Sequence, residues 1–328
     1  MDFTFTPDQQ LIRDSARTLF EKECPTSLVR AHMDDPRSAE PLWKHLREWT
    51  ALSGGPLVDL CIFLEESGAA LAPGPFYATT ALFAPLLKVL EHPLLERVAS
   101  GDVTGTVGLA GKSGDWVVNA DPVKTFVPEA ERADWVALVV PGPAVVLRER
   151  PPARYVETVD TSRRLGEVEV GDASRAIASS AEALRGVLEV ATVALAAEML
   201  GTARWLFDTT LAYAKVRVQF GKPIGSFQAV QHKLANMRLA LERALSSVYY
   251  AAMTIDADDA DRHRATHVAK AAAGEAAKLC AKDGIQIHGG IGYTWEHDLH
   301  LYIRRAYASE FLLGGSDWHH DRLAELIL

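Results

Sequence analysis

The chain has 328 residues, of which 48% are hydrophobic and 23% charged, and a formal net charge of −9. That length leaves room for about two or three domains with a buried core. The acidic balance, without clustered Lys and Arg, argues against nucleic acid as a partner, and no apolar run reaches the roughly 18 residues a membrane span needs.

Met1-Asp2-Phe3-Thr4-Phe5 has neither a basic nor an apolar leader segment, which points to the cytoplasm. Thr6-Pro7-Asp8-Gln9 predicts a helix start, with Thr6 as N-cap, Pro7 in the first turn and Gln9 completing a capping box. Ile12, Ala16, Leu19 and Phe20 then share one helical face. Further helices are expected at Pro41–Trp49 and Leu57–Ala72, before Pro73-Gly74-Pro75 interrupts the chain. From about residue 106 to 178 the texture changes to short Val-rich runs punctuated by Pro and Gly, including Trp116–Val118, Trp135–Val140 and Ala144–Leu147. About five to seven short strands are expected there. Three long helices follow, over Ala181–Arg217, Ser226–Ile255 and Asp261–Ile287. Each is about 45 Å long at about 1.5 Å per residue, as an antiparallel bundle requires. The expected fold is α+β but mainly α: a helical N-terminal domain (1–105), a small middle β-domain (106–178) and a C-terminal four-helix bundle (179–328).

Cys24, Cys61 and Cys280 are too far apart for a CxxC or metal-ligand pattern and read as buried, reduced thiols. His288, His297 and His300 have offsets that suit no closed metal site, and His319-His320 opens the last helix as a surface pair. Trp295 and Trp318 are expected to pack between helices or at a subunit interface.

Two segments at helix boundaries carry the functional signal. In Arg217-Val218-Gln219-Phe220-Gly221-Lys222-Pro223-Ile224-Gly225-Ser226-Phe227-Gln228 a long helix ends in a Gly/Pro turn, with Ser226 placed to cap the next helix. In Gln286-Ile287-His288-Gly289-Gly290-Ile291-Gly292-Tyr293 a glycine-rich turn leaves a helix, where a missing Cβ lets a ligand approach the backbone. Each alone is weak, because Arg217 also complements a helix dipole and glycine turns are common.

In this order and at this separation, the two segments resemble the acyl-CoA dehydrogenase family, as do Thr6–Asp14 and Arg304-Arg305-Ala306. The resemblance covers nearly the whole chain and is firmest over residues 181–311. It implies the fold already read from texture, usually as a tetramer, and FAD-dependent oxidation of an acyl-CoA to the 2,3-enoyl-CoA. A carboxylate removes the α-proton while flavin accepts hydride from the β-carbon, and an electron-transfer flavoprotein or similar acceptor takes the electrons. In such proteins the two motifs reach the FAD of a neighbouring subunit. Carried over, Arg217 pairs with the pyrophosphate, Phe220 and Gln228 lie beside the adenosine, and Gln286, Gly289 and Gly290 cradle the same half.

The catalytic half departs from the family. Its usual base position falls on Leu313, and the alternative position on the first bundle helix falls on Ala191. The β-domain stretch Gly108–Asp115 lacks the family's Glu-Pro, and Phe126-Val127-Pro128 replaces the usual ring platform. This pattern resembles the shortened subunits of α2β2 dehydrogenases that actinobacteria use on steroid-derived CoA thioesters. It implies a second, Glu-bearing subunit whose FAD site this chain completes, and a bulky acyl-CoA substrate. The alternatives are a homomeric dehydrogenase with a displaced base, a stabilising subunit without catalysis, and a flavin monooxygenase. For the displaced base, Glu198 shares the face of Ala191 about 10 Å along the helix and Glu310 lies one turn before Leu313; both are expected at a surface or interface. Glu189 is out of phase.

Overall fold

The computed structural model describes residues 4–328. Helix α1 (Pro7–Glu23) starts as its residues predict: the Thr6 hydroxyl accepts from the Gln9 amide at 3.2 Å and the Gln9 side chain accepts from the Thr6 amide at 3.1 Å. Ala16 and Phe20 are buried, and Ile12 and Leu19 half-buried. Then come α2 (Thr26–Asp34), α3 (Glu40–Leu46), a 3-10 stretch (Arg47–Gly54), α4 (Leu57–Ala69), a π-helical turn (Ala78–Phe83), α5 (Ala84–Val89) and α6 (Leu94–Ala99). The strands are β1 (Gly105–Gly108), β2 (Val123–Pro128), β3 (Trp135–Val140), β4 (Ala144–Glu149), β5 (Ala153–Val156), β6 (Leu165–Glu169) and β7 (Ile177–Ala178). After them run α7 (Ala181–Val216), a two-residue hairpin of β8 (Val218–Gln219) and β9 (Lys222–Pro223), α8 (Gln228–Asp256), α9 (Arg262–His288), α10 (Leu299–Phe311) and α11 (Ser316–Ile327). No helix among the described residues is long and apolar enough to cross a membrane.

The chain divides into two compact units. One comprises residues 27–60 and 73–194. Its strands form a four-stranded sheet ordered β1-β3-β4-β7, in which β1 and β3 run parallel, and an antiparallel three-stranded sheet ordered β2-β6-β5. β3 is buried along its middle, which explains its unbroken Val-rich pattern. The Pro141-Gly142-Pro143 turn leads into β4, with Gly142 at φ 84°, a left-handed position that side chains resist. Val127 and Val168 from one sheet and Val136, Leu138 and Val146 from the other share one core. Trp116–Val118 is not a strand. The segment is loop, and the Asn119 amide donates to the carbonyls of Leu109 and Val117, both at 2.9 Å, while Asp121 accepts from the Lys112 amide at 2.8 Å. Local side-chain bonds thus take the place of a ladder.

The other unit comprises residues 4–26, 61–72 and 195–328. Here α4 crosses α7 backbone to backbone. A Cβ on Gly68 would stand 1.9 Å from the Glu198 carbonyl oxygen, and one on Gly201 would stand 1.8 Å from that of Glu65. Both positions therefore require glycine. All three cysteines are buried, and burial pushes the Cys24 and Cys280 thiols up to about 12.

Candidate functional site

The two motifs meet at one end of the C-terminal helices. α7 ends at Val216, and the Arg217 amide closes its last turn onto the Tyr213 carbonyl at 2.9 Å. Tyr213 stacks on His288 with ring centroids 4.5 Å apart, joining the end of α7 to the end of α9. Lys233, in the second turn of α8, pairs with Asp283, one turn before Gln286. These contacts join the end of α7 and the first turns of α8 to the last turns of α9, the elements that carry Arg217, Gln228 and Gln286. The sequence reading missed Tyr213, Lys233 and Asp283. Only Tyr213 had a signal, its place one turn before Arg217; an ion pair fifty positions apart has no local signature.

The hairpin after α7 is short and exposed. Phe220 sits at φ 53° followed by Gly221 at φ 80°, and the Ile224 amide returns to the Arg217 carbonyl at 2.8 Å. Phe220 is 90% exposed, an unusual cost for a phenyl ring in water, and stands edge-to-face with Phe227. Ser226 does not cap α8. Its hydroxyl donates to the Pro223 carbonyl at 2.7 Å within a 3-10 turn, and Phe227 occupies the N-cap without a side-chain bond. The first turn closes instead through the backbone, the Val230 and Gln231 amides donating to the Phe227 carbonyl at 3.0 and 3.1 Å.

Arg217, Gln228 and Gln286 are exposed, and their side chains have no hydrogen-bond or ion-pair partner among the described residues. α9 ends at Gly289, with φ 63°, and a Cβ added at Gly289 or Gly290 would meet nothing within 4 Å. The result is a guanidinium, two carboxamides, an aromatic face and bare backbone, all uncommitted. Those donors and that open backbone fit the diphosphate and adenosine half of a dinucleotide.

Trp295 is 57% exposed and stacks on His300 at 4.7 Å, rather than packing between helices of its own chain. The imidazole of His288 donates through Nδ1 to the Gly284 carbonyl at 2.8 Å. No cluster of three or more His, Cys, Asp or Glu that would hold a metal ion occurs among the described residues.

Of the two positions where the sequence resemblance places a base, Ala191 is fully buried in α7 with its carbonyl accepting from the Tyr77 hydroxyl at 3.0 Å, and Leu313 is 6% exposed at φ 59°. Neither accepts a proton. The displaced carboxylates are not at a surface. Glu198 is buried and pairs with Arg305 at 2.8 Å inside the helices. Glu310 is also buried; it accepts from the Ser316 amide at 2.9 Å, capping α11, and pairs with Lys278 at 2.7 Å. Lys270, fully buried and lowered to about 8 by that burial, donates to the carbonyls of Glu310 (2.9 Å) and Gly314 (2.7 Å). His319 is buried as well, contrary to the surface expectation, with Nε2 donating to the Leu313 carbonyl at 3.1 Å and Nδ1 at 2.8 Å from Nδ1 of His267. Buried groups from α9, α10 and α11 thus fix the turn carrying Leu313.

A family model described as "Acyl-CoA dehydrogenase, C-terminal domain" matches residues 181–328. The acyl-CoA dehydrogenase IpdE2 of Mycolicibacterium smegmatis is 34% identical over 319 residues, covering 94% of each chain. The acyl-CoA dehydrogenase FadE34 of Mycobacterium tuberculosis is 40% identical over 277 residues, which are 80% of this chain and 37% of that one. Among solved structures, the ChsE4-ChsE5 complex from Mycobacterium tuberculosis superposes with a TM-score of 0.89 at 25% identity, over 99% of this chain and 98% of that one. A Tcur3481-Tcur3483 steroid ACAD variant gives 0.86 at 28% identity, over 98% and 97% of the two chains.

Proposed function

Because the chain belongs to the acyl-CoA dehydrogenase family, we propose that it acts as one subunit of a heteromeric, FAD-dependent dehydrogenase that introduces the α,β double bond into a bulky, steroid-derived acyl-CoA. In this reading it supplies the adenylate-binding half of its partner's FAD site and no catalytic base. The observation that carries the reading is the contrast between the two halves. Arg217, Gln228 and Gln286 stand on the surface with no hydrogen-bond or ion-pair partner among the described residues, while Leu313 and Ala191 leave both expected base positions apolar. The likeness to the ChsE4-ChsE5 complex and to a steroid ACAD of paired name supports a heteromer and the substrate class.

A bound flavin would supply the hydride acceptor for the substrate β-carbon. This chain's residues hold the other end of the dinucleotide. Arg217 makes charge-assisted bonds to the pyrophosphate oxygens. Gln228 and Gln286 offer both donor and acceptor atoms to the adenosine, and Phe220 gives it an apolar face. Gly289 and Gly290 let the phosphates approach the backbone. The α-proton would fall to a carboxylate supplied by the Glu-bearing subunit, and an electron-transfer flavoprotein or similar acceptor would take the electrons.

The homomeric alternative requires Glu198 or Glu310 to act as base, and each is already held by a cation and buried. The test is the FAD-to-chain ratio, read from flavin absorbance, for the chain purified alone and after co-expression with Glu-bearing dehydrogenases. A ratio near zero alone that rises on co-purification with one of them supports the shared site. A ratio near one for the chain alone, with turnover, overturns it.

A further inference from the structure

A hollow of about 310 Å³ lies within the unit of residues 4–26, 61–72 and 195–328, and none of its lining belongs to the two motifs. Leu200 of α7 and Leu241 and Leu245 of α8 give it an apolar wall, with Phe5 and Tyr249 beside them in edge contact, centroids 5.0 Å apart. Its volume falls in the range of small-molecule sites.

Among the described residues, the charges around it balance except for one. Glu65 is 3% exposed, accepts from the Tyr249 hydroxyl at 2.6 Å and pairs with Arg204. Glu66 pairs with Arg204 at 2.8 Å and with Arg17 at 2.9 Å, and at the rim Arg238 pairs with Glu242. Arg13 remains. Its guanidinium carbon lies 4.2 Å from the centroid of the Phe5 ring, its Nε is buried without a hydrogen-bond partner, and no carboxylate among the described residues pairs with it. A half-buried guanidinium that lines the hollow and lacks a carboxylate partner, beside an apolar wall, asks for an anion that carries an apolar body.

We propose that this hollow is a binding site for an amphipathic monocarboxylate of medium alkyl length, its carboxylate on Arg13 and its chain along Leu200, Leu241 and Leu245. The site is built by this chain alone and does not depend on the shared-flavin reading.

Calorimetric titration of octanoate into the full-length protein, as it assembles on purification, tests this. The expected result is one saturable site per chain, with octanol binding about tenfold or more weakly, since the lost contact is a charged hydrogen bond. Arg13→Gln weakens octanoate by about the same factor, Arg13→Lys restores part of it, and Ser246→Trp, which fills the mouth, blocks it. An octanoate isotherm unchanged by both Arg13→Gln and Ser246→Trp would place the ligand elsewhere and overturn the proposal. So would the absence of saturable binding, or octanol binding as tightly as octanoate.

Discussion

Inside the C-terminal helices, Glu198 and Arg305 are withdrawn from water and bound to each other, and Lys270, Glu310 and His319 are spent on carbonyls and a helix cap. At the end where α7 passes to α8 and α9 stops, Arg217, Gln228 and Gln286 have no hydrogen-bond or ion-pair partner among the described residues, and Phe220 lies open to solvent. Both regions are rich in polar groups, yet they do different work. A buried charge must be paired, so the interior spends its charges on holding helices in register. A surface that keeps strong donors and an aromatic ring uncommitted gains no stability from them, and a ligand is the physical use for such a surface.

The sharpest way to break this contrast is Glu198→Ala. Removing one partner strands a buried guanidinium, and the expected loss is about 3–5 kcal/mol in urea unfolding, with Glu198→Leu/Arg305→Met recovering most of it. Unchanged stability with turnover abolished would return Glu198 to the role of base. Next in size is Arg217→Ala. It should leave the unfolding free energy within about 0.5 kcal/mol, as an exposed residue does. FAD retention by the complex should weaken by about 1.5–3 kcal/mol, measured as release on dilution. Equal FAD affinity in that variant would remove the shared site.

A third experiment uses pH. Burial holds His267 down to about 4 and His319 to about 3, below the ordinary 6.5. Between pH 6.5 and those values the unfolded chain binds more protons than the folded one, so stability falls as pH falls through that window. Urea midpoints should therefore drop steadily from pH 7 to pH 4.5, and His319→Phe should flatten the slope while Arg217→Ala leaves it unchanged. The smallest effect belongs to Thr6→Ala, which removes one half of a capping box and should cost about 1 kcal/mol with no change in flavin binding.

The order of helices, strands and long helices was legible, as were the capping box at Thr6, strand Trp135–Val140 and the two glycine turns. Each rests on propensity, period or a left-handed backbone, and those act over a few residues. The two reversals among local elements have a local cause too. Trp116–Val118 has strand-like residues but lost its ladder to Asn119 and Asp121, and Ser226 spent its hydroxyl on Pro223. Side-chain competition of that kind is decided by exact geometry, which a residue pattern does not specify.

By itself, then, the sequence determined the family, the position of the open motif residues and the absence of a carboxylate at Leu313 and Ala191. Only the tertiary structure decided that Glu198 and Glu310 are buried and bound, that Tyr213 and His288 bring the two motifs together, and that Arg13 is left over beside a hollow. Glu198 meets Arg305 across 107 positions of chain and Glu65 meets Tyr249 across 184. Pairing at such separations depends on which helix faces turn toward each other, and that is set by packing of the whole core rather than by any local run of residues.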